Sequence, residues 1–241
     1  MTLAPPRTSG DAVAYFDRLA PEYAKYSAIG LNFQRRLALF RSGLLDAYDT
    51  VPGNLCLDLG CGNGVLARLA CDLGFRTVGF DGSAEMLRLA RTVHTGTAID
   101  FRMEQLPLTD ATVEDFRGAA AVVIASSVIE YLDDDERFLR QCAAMLAPGG
   151  RALVSFPNAQ SLWRRYERLL GARGHLRDSI VSVQRRQYWG HDVPRLARRA
   201  GLDLAGITYF GVPRADRVAR FIGGAPPWWA TLFLADLRRS H

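Results

Sequence analysis

The residues of this chain best suited to chemistry stand between Leu55 and Val65, where it reads LCLDLGCGNGV. Asp58 interrupts a short apolar run, which then breaks into Gly60, Gly62 and Gly64, with Cys61 between the first two. Glycines so spaced permit positive φ and leave bare backbone for a ligand to lie against. A second acid, Asp81, follows Gly60 by 21 residues and precedes Gly82-Ser83. A carboxylate at that distance, closing the next strand, can accept both hydroxyls of a ribose. The competing reading makes Asp81 only the cap of a helix starting near Ser83, but capping alone leaves the glycine turn without a purpose. The chemistry indicated is nucleoside binding.

The turn departs from the dinucleotide fingerprint, which is G-x-G-x-x-G. Here the spacing is G-x-G-x-G, with Val65 in the late position and an acid on the strand itself. In these details LDLGCGNG, residues 57–64, closely resembles the first motif of the class I S-adenosylmethionine-dependent methyltransferases. The resemblance implies a Rossmann-like, doubly wound α/β fold with a seven-stranded sheet, mostly parallel with an antiparallel last strand. It implies S-adenosyl-L-methionine as cofactor and S-adenosyl-L-homocysteine as product. The turn (Gly60, Cys61, Gly62, Gly64) would then hold the methionine end, Asp58 would help bind its ammonium group, and Asp81 with Gly82 would meet the ribose.

Two further stretches extend the resemblance. Residues 102–108, RMEQLPL, are similar to the family segment beneath the adenine, which places Met103 and Glu104 beside the base. Arg102 stands where an acid often accepts from the adenine amino group. Residues 126–131, SSVIEY, resemble the family's V-L-E-H segment at the border of cofactor and acceptor, with Tyr131 in place of the usual histidine. Ser126 is accordingly expected at the cofactor, and Glu130 and Tyr131 are candidate bases. His191, just before Asp192, is a third candidate, with an ordinary surface role as its alternative. His94 and His175 fit catalysis less well.

These residues need elements to position them. Leu55–Leu59, Arg76–Asp81, a short segment near 98–102, Ala119–Ala125 and Arg151–Phe156 read as strands. The run AAAVVIA suits a strand buried on both faces. Helices are expected over 83–93, after the DDDERF acids, and over 192–200, and a sixth strand over 204–210. The L-x-P-G-G at 146–150 is another mark of the family. Before the first motif, residues 1–50 read as a helical lid. One pattern begins at Asp11 with a break expected at Pro21, and a second runs from about 33 to 48. Tyr15, Tyr23 and Tyr26 are candidates to face the site, or else anchors between lid and core. Residues 51–241 form the catalytic domain, interrupted at about 157–190 by a basic insert. For Thr231–Leu237 a seventh strand competes with an interfacial helix on a membrane.

At 241 residues and 49% hydrophobic the chain can bury one full core. It has no apolar run long enough to span a membrane. MTLAPPRTSG lacks a signal pattern, so a cytoplasmic location is expected. Cys56, Cys61, Cys71 and Cys142 form no C-x-x-C pair and read as packing, and no metal site is expected. The net charge of +5 is uneven: residues 1–150 carry 14 basic and 19 acidic groups, residues 151–241 carry 16 and 6. A basic C-terminal part suits an acidic or phosphorylated acceptor, an acidic partner or a lipid surface. Nucleic acid is not an expected partner, because SSVIEY replaces the N-P-P-[YF]-like turn of base-amine methylases. The reading is methyl transfer to a small molecule, at oxygen rather than nitrogen. Its competitors are a nicotinamide-dependent oxidoreductase, a non-catalytic S-adenosylmethionine-binding regulator, and an enzyme acting on a lipid or quinone at a membrane surface. Oligomeric state is not legible.

Overall fold

In the computed structural model, residues 8–26, 31–172, 184–211 and 226–240 are described. Seven strands form one sheet in the order β3-β2-β1-β4-β5-β7-β6. They are β1 (Leu55–Leu59), β2 (Arg76–Asp81), β3 (Asp100–Met103), β4 (Ala120–Ala125), β5 (Leu146–Pro157), β6 (Leu202–Phe210) and β7 (Leu232–Arg239). The first five run parallel, and β7 lies antiparallel between β5 and β6. This is the doubly wound architecture, and the C-terminal stretch is a sheet strand. A buried strand next to β5 is what its apolar side chains, Leu232 to Ala235 and Leu237, require.

The central strands are apolar throughout because both faces are covered. Leu55, Leu57 and Leu59 of β1, with Val123 and Ala125 of β4, pack against α5 (Asp110–Asp115), α6 (Asp135–Met145) and α8 (Val193–Arg199). Cys56 of β1, with Val122 and Ile124 of β4, faces α2 (Leu31–Thr50) and α3 (Val65–Asp72). A third group, the pair α1 (Ser9–Tyr26) and α4 (Ala84–Val93), packs together beside β2 and β3.

Three local differences from the expected elements have simple causes. Helix α1 runs unbroken through Pro21. Residues on both sides of the proline face the same cleft, Phe16 against Tyr131 before it and Tyr23 in the lining after it, which holds the two halves in line. Helix α5, one and a half turns capped by the Thr109 hydroxyl on the Thr112 N–H, is too short to show a period. Strand β5 starts at Leu146, so the Pro-Gly-Gly lies within it, at a register shift against β4. Of the two N-terminal helices, α1 lies over the strand ends, while α2 packs Phe40, Leu44 and Ala47 on the sheet. In the basic insert, α7 (Leu162–Ala172) is described. His175, Arg173, Arg177 and Asp178 fall outside the described residues, as does the side chain of Tyr26.

Arg151 on β5 is buried and clasped by Asp236 of β7, with Asp46 of α2 at 3.5 Å. It ties the antiparallel strand to the parallel ones.

Candidate cofactor and acceptor cleft

The turn after β1 is tied to the end of β2. The Gly60 and Cys61 N–H groups both donate to the Phe80 carbonyl, at 2.7 and 2.9 Å. The Gly62 N–H donates to Asp81 Oδ2 at 2.8 Å, and the Ser83 N–H to Asp81 Oδ1 at 2.8 Å. Asp81 therefore organises the turn while Ser83 caps α4, its hydroxyl accepting from the Met86 N–H. Burial pushes the Asp81 carboxyl up, opposed by the Ser83, Gly62 and Gly82 amides. The turn amides are not free for an anion, because β2 has taken them, so the loop is not a cradle for a pyrophosphate. That weighs against a nicotinamide dinucleotide.

Above this turn lies a cleft of about 220 Å³. Gly60, Gly62, Asp81 and Gly82 form its floor, and Gln105 and Leu106 one side. Ser126, Ser127, Val128, Tyr131 and Leu132 form the far edge. Ser9, Ala12, Val13, Phe16 and Tyr23 of α1 close it from above, a single helical face by their spacing. The helix is clasped at two points. The Ser9 hydroxyl donates to Asp133 Oδ2 at 2.7 Å, and the Ser83 hydroxyl donates to Asp17 Oδ1 at 2.6 Å.

Of the residues singled out by sequence, the cleft brings together Gly60, Gly62, Asp81, Gly82, Ser126 and Tyr131, with Tyr23 from the lid. The others stand elsewhere. Asp58 is 1% exposed beneath the turn, and neither of its oxygens makes a well-formed hydrogen bond. Burial, then the Asp81 charge, pushes its pKa up to about 7, with the Ala67 amide opposing. Cys61 packs its sulfur against Gly79. Gly64 stands under Phe101 and His94 at the head of α3. Met103 is 67% exposed on the edge strand β3. Glu104 turns to α5, accepting from the Thr109 N–H and the Thr112 hydroxyl. His191 has a side chain 69% exposed, beside Trp189 and outside the cleft wall.

Glu130 is 1% exposed, and its Oε2 has no hydrogen-bond partner. Burial raises its pKa from 4.5 to about 7, opposed by its own amide and by the charges of Arg164 and Arg36. A carboxyl whose folded pKa lies above its unfolded value stabilises the fold below about pH 4.5 and loses that contribution as pH rises through about 7. Glu130→Gln cannot ionise. It should match wild type near pH 4.5 and exceed it at pH 8 by on the order of 2–3 kcal/mol, measured as urea midpoints at the two pH values. Asp58, shifted in the same direction, leaves a residual slope in the variant.

Cleft residues that the sequence reading did not single out include Arg36, Gln105, Leu106 and Ser127. Arg36 of α2 donates to Ser126 Oγ at 3.4 Å and lies 5.9 Å from the Phe210 ring centroid. One of three arginines in an amphipathic helix carries no motif. Gln105 and Leu106 lie one and two residues beyond Glu104, within the 102–108 stretch, and line the cleft where Met103 and Glu104 do not. Ser127 is the one non-glycine residue with positive φ among the described residues, at 56°. Its N–H is held by the hydroxyl of buried Ser155 at 2.7 Å. Strain of this kind at a strand end is common in binding sites.

The glycines test whether the cleft accepts a bound nucleoside. A Cβ on Gly62 (φ 53°) would meet nothing within 4 Å, so bare backbone faces open space beside the Asp81 carboxylate. A Cβ on Gly60 (φ 76°) would stand 2.3 Å from Val128 Cγ2. Gly60→Ala should therefore lower stability by about 2–4 kcal/mol, through left-handed strand-end strain and overpacking. Gly62→Ala should cost only about 1 kcal/mol while impairing S-adenosylhomocysteine binding. Thermal melts with parallel titrations separate the two effects. Among the described residues no group of His, Cys, Asp or Glu is placed to hold a metal ion.

Fold and cleft define a protein of the doubly wound class, with its cleft at the strand ends and no cradle for a diphosphate. Residues 31–205 match the methyltransferase domain family, and the chain belongs to it, as a class I S-adenosylmethionine-dependent methyltransferase. It is 30% identical over 208 residues to an uncharacterized 37.1 kDa protein in transposon Tn4556 of Streptomyces fradiae, covering 82% of this chain and 54% of that protein. It is also 30% identical over 183 residues to the ubiquinone biosynthesis O-methyltransferase of Cupriavidus pinatubonensis, covering 70% of this chain and 69% of that one. The chain thus spans about half the length of the first relative and two thirds of the second. In fold it is similar to magnesium protoporphyrin IX methyltransferase of Synechocystis, crystallised with S-adenosylmethionine (TM-score 0.64, 16% identity, 99% of this chain and 100% of that one).

Proposed function

We propose that the cleft binds S-adenosylmethionine and that the chain methylates an oxygen of a small-molecule acceptor. One observation carries this reading: bare backbone at Gly60 and Gly62, the Asp81 carboxylate and the Ser126–Leu132 edge converge on a single cleft under α1. Asp81 is positioned for the ribose hydroxyls and Leu106 with Val13 for the base. Arg36 beside Ser126 offers the positive charge that an amino-acid carboxylate needs, which the turn amides cannot supply. Bound there, the cofactor supplies a methyl carbon already activated by a positive sulfur. What remains for the protein is alignment and exclusion of water. Similarity to enzymes named for O-methylation supports oxygen as the acceptor atom. The test is a screen of metabolite extracts with methyl-labelled S-adenosylmethionine, read by mass spectrometry. Tight S-adenosylhomocysteine binding with no label transferred to any acceptor would instead indicate a non-catalytic regulator.

A second reading, an acceptor presented at a membrane surface, is favoured by one patch. Leu162, Tyr166 and Leu169 are exposed on one face of α7, and the Leu162 N–H donates to the carbonyl of exposed Trp228. Among the described residues no helix is long and apolar enough to cross a membrane. Salt-sensitive liposome binding that is lost on replacing Leu162 and Trp228 with serine would support it. Removing residues 225–241 is not a usable test, since it deletes β7 from the sheet.

A further inference from the structure

The acceptor end of the cleft is walled by hydrogen-bond donors. Among the described residues, Tyr23, Ser127 and Tyr131 present hydroxyls to it, and Arg36, given above to the cofactor's carboxylate, stands against Ser126 beside them. The cleft's carboxylate, Asp81, lies at the other end and is occupied by the Gly62 and Ser83 amides. Tyr131 is buried and stacks edge-on with Phe16 of α1; its hydroxyl makes no well-formed hydrogen bond, although the Gln184 side chain beside it is near enough to oppose the rise of its pKa. A buried polar atom without a partner, on a residue that lines a cleft, marks a position for a ligand atom. The groups around it are Glu130, Gln184, Arg164 and Tyr23. Burial first, then the Glu130 charge, pushes the phenol well above its ordinary range, so it stays protonated and donates. Glu130 is sealed away from the cleft, and His191 is out on the surface. A wall of donors holds an oxygen that is already an anion. A neutral hydroxyl would have to give up a proton, and a free phenol, with a pKa near 10, is almost wholly protonated at neutral pH.

We propose that the acceptor oxygen is a carboxylate, held by the Tyr131 hydroxyl, and that the product is a methyl ester. The proposal rests on the methyl-transfer reading above. Esterification of a carboxylate by a sulfonium methyl makes one C–O bond and breaks one C–S bond. The electron pair stays on sulfur as a neutral thioether, and no proton has to be removed.

Products of the labelled extract screen are treated with mild alkali, which releases methyl esters as volatile methanol and leaves ethers and N-methyl groups intact. Volatile label is the expected result. Alkali-stable label overturns the carboxylate proposal and leaves methyl transfer standing, whereas absence of any transfer overturns both. A second arm needs no cofactor: benzoate and benzyl alcohol are titrated into the full chain. Benzoate should bind more tightly, and Tyr131→Phe should weaken it roughly tenfold, as for a lost hydrogen bond to a charged partner. The melting midpoint and S-adenosylhomocysteine affinity should not change. Benzoate no tighter than benzyl alcohol, or indifferent to Tyr131→Phe, overturns the assignment.

Discussion

Replacing Asp81 with alanine is expected to weaken S-adenosylhomocysteine binding by roughly a hundredfold, the equivalent of two hydrogen bonds to a charged group. The size of the effect follows from the double duty of this carboxylate. One oxygen holds the Gly62 N–H and the other the Ser83 N–H, so the same group shapes the turn and, in the proposed function, meets the sugar. Losing it leaves two amides without partners and a turn no longer tied by its third residue. Asp81→Asn should fall between, since its carbonyl can satisfy one amide but its NH₂ opposes the other. Calorimetric titration measures this directly, and unchanged affinity in Asp81→Ala would remove the ribose assignment. A melting midpoint lowered in parallel reports the turn-forming part of the role.

The largest stability effect is expected far from the cleft, at Asp236→Ala. Arg151 has a side chain only 8% exposed, and Asp236 pairs with it through both oxygens, while Asp46, its other carboxylate, is mostly in water. Removing Asp236 leaves a buried guanidinium with one weak exposed partner, which costs about 3–5 kcal/mol. Arg151 is joined to β7 at the register Arg151↔Arg238, so the loss should fall on the β5–β7 seam. Amide exchange is expected to rise along β7 and β6 before it rises in β1 and β4. Replacing both charges, Arg151→Met with Asp236→Leu, should recover most of the stability, because the cost lies in the unpaired charge rather than in losing the pair. Urea unfolding of the single and double variants decides this.

How much of this protein was legible beforehand depended on how local each cause is. The Asp58–Gly64 turn and Asp81 were readable because a strand, a glycine break and a helix start all leave their marks within a few residues. The all-apolar β4 announced burial on both faces. The membership of the cleft was less legible. Met103 and Glu104 fall at the end of an edge strand, where a shift of one residue turns a side chain to the opposite face, and Gln105 and Leu106 line the cleft instead. Arg36 arrives from a helix 90 residues away in sequence from Ser126. Charge counted by halves pointed to the C-terminal part, yet the cationic side chain lining the cleft among the described residues comes from the acidic N-terminal half.

Short-range order, then, is written in the chain: alternation, glycine spacing and the class of ligand all follow from residues within one strand–turn–helix unit. Folding settled what depends on distant segments meeting. It spent the turn's amides on Phe80 and Asp81, buried Glu130 and Asp58 out of reach, left His191 in solvent and set an unmatched Tyr131 hydroxyl in a donor-lined wall. Whether a side chain acts as base, donor or filler is fixed by its solvation and its neighbours, and those exist only once the sheet has closed.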